Sequence, residues 1–509
     1  MTATMAPHRS TAPAGNDGFW QLLRAEWTKF RTVRDWVVGL ILAGLLTTGV
    51  ALLSHSECGA QDGPSGPVVT GGPACTRPLG PGGEAVSDSF YVVHQPLGSV
   101  ASVTVRVTSL TGSSLQPWSK AGIIIKASAT PGSAYAAMMV TGSHGVRMQW
   151  DFTGDAAGLA GPASAASPRW LRLTRSGDTV TGYDSADDTH WSLVGTVRLP
   201  GLPAVAWGGL FAASPDYSAP TSQSLGSGSG TGGPTQATAA FDHVGLTGAS
   251  GAGAWTGTAV GGGSGGPLGY HRFGSGLEVS GSGDIAPVAP SGANSVAQTQ
   301  IGTFAGLIAM IVVATMFITA EYRRGLIRVT LTASPKRYRI LVAKAVVIGV
   351  AAFAVGLPAA VLALLISEPR ARSRGIFVDP VSTLTEVRVL AGTALLLAVT
   401  AVLALALGAV LRRGAATVTA VIAVVVLPYF FASPLAVLPA GAADWLLRLT
   451  PAAGFAIQQP YPAYPQVTGS YTPQHGYYPL APWAGFAVLC AWAALALGLA
   501  MYLLRRSDA

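Results

Sequence analysis

Apolar residues fall into two patterns along this chain. Towards both ends they form long runs, at 37–53, 301–320, 340–366, 389–411, 415–431 and 483–504. Crossing the hydrocarbon core of a bilayer takes about 20 apolar residues in a helix, so these runs predict six membrane spans. Pro358 predicts a kink in the third, and Pro428 and Pro434 mark the end of the fifth. In the middle of the chain the period shortens to two. Val103, Val105 and Val107 alternate with Thr104, Arg106 and Thr108, while Ile123, Ile124 and Ile125, and Met138, Met139 and Val140, sit between Gly/Ser/Asp turns. Residues 170–175 meet 179–183 across a Ser-Gly-Asp turn. Many short strands without helical periodicity predict an antiparallel β-sandwich. The fold class is therefore mixed: an α-helical transmembrane bundle with an inserted β-sandwich.

The segments between these blocks complete the layout. Residues 1–16 are unpatterned and read as disordered; 17–54 hold a basic helix and the first span; 55–87 form a Gly/Pro-rich neck; 88–247 form the sandwich; 248–297 are Gly/Ser-rich and read as a linker; 298–509 carry the other five spans. Within the linker, Leu277, Val279 and Ile285 supply apolar punctuation, which predicts that part of it packs. Near the N-terminus Trp20, Leu23, Trp27 and Phe30 recur at helical spacing, with Arg24, Lys29, Arg31 and Arg34 mostly on the other faces. That is the pattern of a helix lying at the headgroup level, with Trp20, Arg24, Trp27 and Lys29 as its interface residues; the alternative is a plain extension of the first span. The run at 37–53 is long for a signal core and lacks a small-x-small cleavage site, so it reads as an uncleaved span. A short helix at 442–449 and a Tyr/Pro-rich loop with Tyr461, Tyr464, Tyr471, Tyr477 and Tyr478 precede the last span, and aromatics there suit the membrane interface.

Charge then orients the bundle. Only 11% of residues are charged, against roughly 25% in soluble proteins. The formal charge of +8 resides in cations beside apolar runs, which argues for a membrane surface and against nucleic acid. With six spans, the N-terminal flank, the cations of 323–339, Arg412 and Arg413, and Arg505 and Arg506 all fall on one side, which should be cytoplasmic. Arg370, Arg372 and Arg374 fall opposite and oppose that tally. The expectation is a multi-pass cell-membrane protein with residues 55–297 extracellular. In that compartment a Cys58–Cys75 disulfide is expected, the alternative being two free thiols; Cys490 reads as a small apolar helix residue.

Several stretches also resemble known families. EYRRGLIRVTLTASPKRYRILVAKAVV, from Glu321, resembles the segment between the second and third spans of ABC-2-type transporter permeases, and FWQLLRAEWTKFRTVRDW resembles the opening of actinobacterial members. The resemblance implies a permease subunit coupled to a separate ABC ATPase, paired as a homodimer or heterodimer, with short reentrant helices before the last span. WSKAGIIIKAS, SAYAAMMVTGSHGVRMQW, WLRLTRSGDTVTGYDSADDTHWSLVG and FDHVGL resemble concanavalin-A-like jelly-roll modules, which occur in glycan-binding proteins. Trp118 and Trp150 are therefore candidate glycan contacts and cell-wall glycan a candidate ligand; core plugs are the alternative for both.

Catalytic chemistry finds no support in the residues. None of the five lysines follows a glycine, so no Walker A loop exists and ATP is expected to be used by the partner subunit. No histidine pair has ligand spacing, and Asp184, Asp187 and Asp188 read as turn residues, so neither a metal nor a bound cofactor is expected. The G-x-S-x-G match at 262–266 lies in a glycine tract without the strand–turn–helix setting that motif needs. What remains is mechanical coupling. Glu321, Arg323, Arg324, Arg328, Lys336, Arg337 and Arg339, in what reads as a short cationic hairpin between the second and third spans, are the candidates to receive motion from the ATPase, the alternative being that the cations anchor it to lipid headgroups. A carboxylate at a helix end needs a partner, and for Glu321 an arginine of the N-terminal helix is expected. The reading is the membrane-spanning subunit of an ABC-2-type exporter; the rival is a membrane-anchored glycan-binding or sensing protein that does not transport.

Overall fold

The computed structural model describes residues 18–53, 60–63, 66–69, 77–221, 229–249, 254–261, 268–288, 295–323, 337–373, 377–432, 440–467, 471–473 and 476–506. Its two compositions fold as two bodies of different kinds, an antiparallel β-sandwich and a helical bundle with six helices long and apolar enough to cross a membrane.

In the sandwich, one 22-residue strand, Phe90–Thr111, serves both layers. Its first half pairs with Ala206–Ala213 and Thr256–Val260, its second with Arg169–Ser176 and Ala237–Ala249. The first layer continues through Lys120–Lys126, Tyr135–Thr141 and Val146–Trp150. The apolar triplet in Lys120–Lys126 is explained by burial on both faces. Ile123 and Ile125 point into the core between the layers, and Ile124 into a second core with Phe90, Tyr135, Phe152 and Phe211. Val103, Val105 and Val107 fill the inter-layer core, as their alternation demands.

The expected linker 248–297 is corrected in part. Thr256–Val260, Gly269–Phe273, Gly276–Gly281 and Ile285–Pro287 are strands paired into the sandwich, with Leu277, Val279 and Ile285 buried. Glycine weakens a strand but leaves its backbone donors and acceptors intact. Close approach also favours it: a Cβ on Gly281 would lie 1.9 Å from the Ala212 carbonyl oxygen.

The α-helices among the described residues are α1 (Phe19–Thr32), α2 (Arg34–Leu53), α3 (Thr303–Arg323), α4 (Arg337–Ser373), α5 (Thr383–Leu411), α6 (Gly414–Val425), α7 (Leu427–Phe431), α8 (Ala440–Leu449) and α9 (Pro482–Arg506). At 37 residues, about 55 Å, α4 outruns the bilayer and includes Arg370 and Arg372, beyond the end at 366 expected for the third span. The fifth span is α6 and α7 together, with Pro428 near the start of the second piece. Between α8 and α9 the chain forms a fully buried 3-10 turn, Pro451–Gln458. Irregular backbone at this depth is tolerated when protein surrounds it. Here Gly392 and Gly485 let α5 and α9 close on it, and the Gln458 amide donates to Thr303 (3.3 Å) and Thr393 (2.8 Å).

Helix α2 reaches α3 through small residues. A Cβ on Gly302 would lie 1.8 Å from the Thr47 carbonyl oxygen. Gly302→Ala should force the two apart and cost about 1–3 kcal/mol by overpacking. Gly49→Ala, in open space on α2, should cost nothing. Thermal melts of the detergent-solubilised chain, followed by far-ultraviolet circular dichroism, compare the two.

The sandwich sits on one end of the bundle. Gln466, 1% exposed, donates to the carbonyls of Phe152 (3.0 Å) and Thr153 (3.3 Å). Those carbonyls belong to a turn in which Asp151 (φ 42°) and Phe152 (φ 62°) both adopt left-handed backbone, an arrangement that costs non-glycine residues energy and persists only when packing holds it.

Candidate functional site

At the other end of the bundle, α1 lies against the start of α4. Its amphipathic spacing puts Glu26 and Phe30 on the buried face and leaves Trp20 73% exposed. Phe30 meets Phe317 of α3 at 5.3 Å between ring centres, and Trp36 meets the same ring at 4.9 Å. Trp20, Arg24 and Trp27 border an apolar groove of about 400 Å³ whose far wall is Val346, Val347 and Val350 of α4.

Below these rings four charges meet. The Lys344 ammonium donates to Glu26 Oε2 (2.6 Å) and Glu321 Oε1 (2.8 Å), and lies 4.5 Å from the Phe317 ring centre. Lys29 completes the set with an ion pair to Glu321. Glu26, Glu321 and Lys344 are buried, while the Lys29 side chain is one-third exposed. Two carboxylates and two ammoniums sum to zero, which is how buried charge persists in a low-dielectric setting. Burial and the adjacent Lys344 ammonium hold Lys29 below the usual lysine value.

This arrangement corrects one expectation and adds two residues. The partners of Glu321 are lysines, Lys29 and Lys344, rather than an arginine of the N-terminal helix. Glu26 and Lys344 were missed. The available signal for Lys344 was an ionisable residue inside an apolar run, which marks function or pairing by default.

The cluster ties α1 to both helices that flank the basic segment 324–336. Arg323 closes α3 and Arg337 opens α4; Arg324, Arg328 and Lys336 lie outside the described residues. Arg339 is half-buried on the first turn of α4. Cationic helix ends gather on the same side: Arg412 lies 5.5 Å from the Tyr322 ring centre and Arg505 5.5 Å from that of Tyr338.

The other sequence candidates are dispersed. Trp118 is 5% exposed, with His144 stacked on it at 3.9 Å, and Trp150 has its ring against Gly154. Asp187 accepts from the backbone N–H groups of Thr189 (2.9 Å) and His190 (2.8 Å), as a turn residue does. Cys58, Cys75 and the G-x-S-x-G match lie outside the described residues.

Comparison with known proteins adds a family. No curated protein matches the chain. Similar solved structures include a functionally unknown protein from Saccharomyces cerevisiae (19% identity, covering 31% of this chain and 74% of that one, TM-score 0.20). A GH43 protein from Bacillus licheniformis (18% identity, covering 22% and 24%, TM-score 0.17) and a scytalido-glutamic peptidase (8%, covering 40% and 100%, TM-score 0.25) are others. The chain spans about a quarter of the GH43 protein's length, and likenesses at these TM-scores carry no argument. The profile of the ABC-2 family transporter protein matches residues 185–509, from the middle strands of the sandwich through every helix of the bundle after the first two. With that match over more than half of its length, the chain belongs to the ABC-2 transporter family.

Proposed function

We propose that this chain is the permease subunit of an ABC-2-type exporter, which works with a separate ABC ATPase and pairs with a second permease. The observation that carries the reading beyond the family match is the buried ionic quartet. Glu321 and Lys344 bracket the basic segment 324–336, and Glu26 and Lys29 bring α1 onto the same two helices. A push on the segment 324–336 then moves α1, α3 and α4 together, because pulling any one away breaks two of the three ion pairs. Gathered cations at this end support a cytoplasmic placement, and with it the reading of residues 55–297 as extracellular. Helix α1, with its exposed tryptophans and Arg24, lies at the headgroup level. Burial of Trp118 removes one of the two indoles that favoured a glycan-binding role.

The test is capture of the tagged full chain from membranes of its host. An ABC ATPase should copurify, and the triple variant Arg324→Ser/Arg328→Ser/Lys336→Ser should lose most of it while remaining folded. Undiminished recovery would assign those cations to lipid headgroups. Labelling of single cysteines placed at 330 and 250 should reach the two from opposite sides of the membrane; labelling from the same side would overturn the orientation.

A further inference from the structure

On the sandwich side of the bundle, the first turns of α5 and the loop before α9 border an open pocket of about 370 Å³. Arg388 lines it, with Thr385, Gln459, Tyr477 and Tyr478. Its guanidinium donates through Nη2 to the Gln459 carbonyl, and its Nε is buried without a hydrogen-bond partner. Among the described residues it makes no ion pair. The Gln459 side chain is occupied elsewhere: Oε1 accepts from the Tyr478 backbone N–H (3.2 Å) and Nε2 donates to the Tyr461 carbonyl (2.6 Å). Much of the remaining wall is Pro460, Pro462, Pro479 and Pro482, which offer no N–H. A neighbouring cavity of about 310 Å³ shares Thr385 and Tyr461 and contains Asp379, whose Oδ2 accepts from the Tyr461 hydroxyl (3.2 Å) and whose Oδ1 is buried without a partner; it makes no ion pair with Arg388.

An arginine set into the end of a membrane-spanning helix without a counter-charge is costly, and such residues mark binding sites by default. Guanidinium is matched in shape and charge to oxyanions. We propose that the Arg388 pocket binds an oxyanion, a carboxylate or a phosphate group, presented from the sandwich side of the membrane. Its use as a release-side subsite rests on the permease reading; the binding does not.

The purified full chain, in detergent free of phospholipid, is titrated with inorganic phosphate and with acetate at constant ionic strength set by chloride. Thermal stability and titration calorimetry are the readouts. At least one probe should stabilise the chain saturably, and Arg388→Gln should weaken that binding at least tenfold, in line with the loss of a hydrogen bond to a charged group. Arg370→Gln, at an exposed position of α4, should leave it unchanged. Should Arg388→Gln not fold, Ala463→Trp fills the same pocket with Arg388 in place and should abolish the response. Repeating the titration in phosphatidylglycerol nanodiscs distinguishes the source. A soluble anion's effect survives there, whereas a lipid headgroup suppresses it and leaves phospholipid bound to the wild type but not to Arg388→Gln. No saturable response to either probe together with no lipid retained, or equal behaviour of wild type and Arg388→Gln, overturns the proposal.

Discussion

Lys344→Met is expected to be the most damaging single change in the bundle. Methionine fills much of the same volume, so the cost is electrostatic. Lys344 is 1% exposed and, among the described residues, is the one ammonium that touches both Glu26 and Glu321. Without it, Lys29 still pairs with Glu321, but Glu26 is left buried and unpaired. Breaking a buried pair in this way costs about 3–5 kcal/mol. The loss should show as a lower unfolding temperature and as faster hydrogen exchange along α1, which loses its polar anchor to α4. Adding Glu26→Gln removes the stranded charge, leaves one balanced pair, and should recover more than half of the loss. A Lys344→Met protein as stable as the wild type would mean that the quartet does not hold α1, and the coupling argument would go with it.

How far the sequence made this visible depends on the range of the interaction. Membrane spans are legible because each run is judged alone against the thickness of a bilayer, and all six runs are helices of the bundle. Strands around Ile123 and Val105 are legible for the same reason, since an apolar run between turns and an alternation are both local patterns. Glu26 and Lys344 are 318 residues apart, and nothing near either names the other. At 248–297 composition alone points to a tether, and the apolar punctuation within it points to the part that packs. Strand pairing needs only backbone, and Leu277 and Val279 were sufficient to seat it. Arg388 escaped notice because it stands just ahead of an apolar run, where an arginine normally faces water; only the fold shows its Nε buried.

The sandwich holds a second buried pair whose disruption should be comparably severe and should carry a pH signature. Asp88 and Lys126 meet at 2.7 Å with both side chains nearly inaccessible, and Asp88 also accepts from the Gly132 N–H (2.7 Å). The Lys126 ammonium lies 5.5 Å from the ring centres of both Tyr135 and Phe152. Burial pushes the Asp88 carboxyl above the usual carboxylate range, and Lys126 is what opposes that rise. Lys126→Met removes the opposition and should cost about 3–5 kcal/mol at neutral pH. Because the folded-state value of Asp88 then stands further above its unfolded value, its contribution is fully present only at low pH and is lost as pH rises through the folded value. The deficit relative to wild type should therefore be largest at neutral pH and shrink towards pH about 4, where the carboxyl carries its proton. Lys126→Met/Asp88→Asn, which keeps an acceptor for Gly132 and removes the charge, should be far less pH-dependent. Hydrogen exchange of the amides in Lys120–Lys126, measured on the full chain at both pH values, reads the effect at the strand concerned. A deficit that grew on acidification would mean that Asp88 is not the stranded charge.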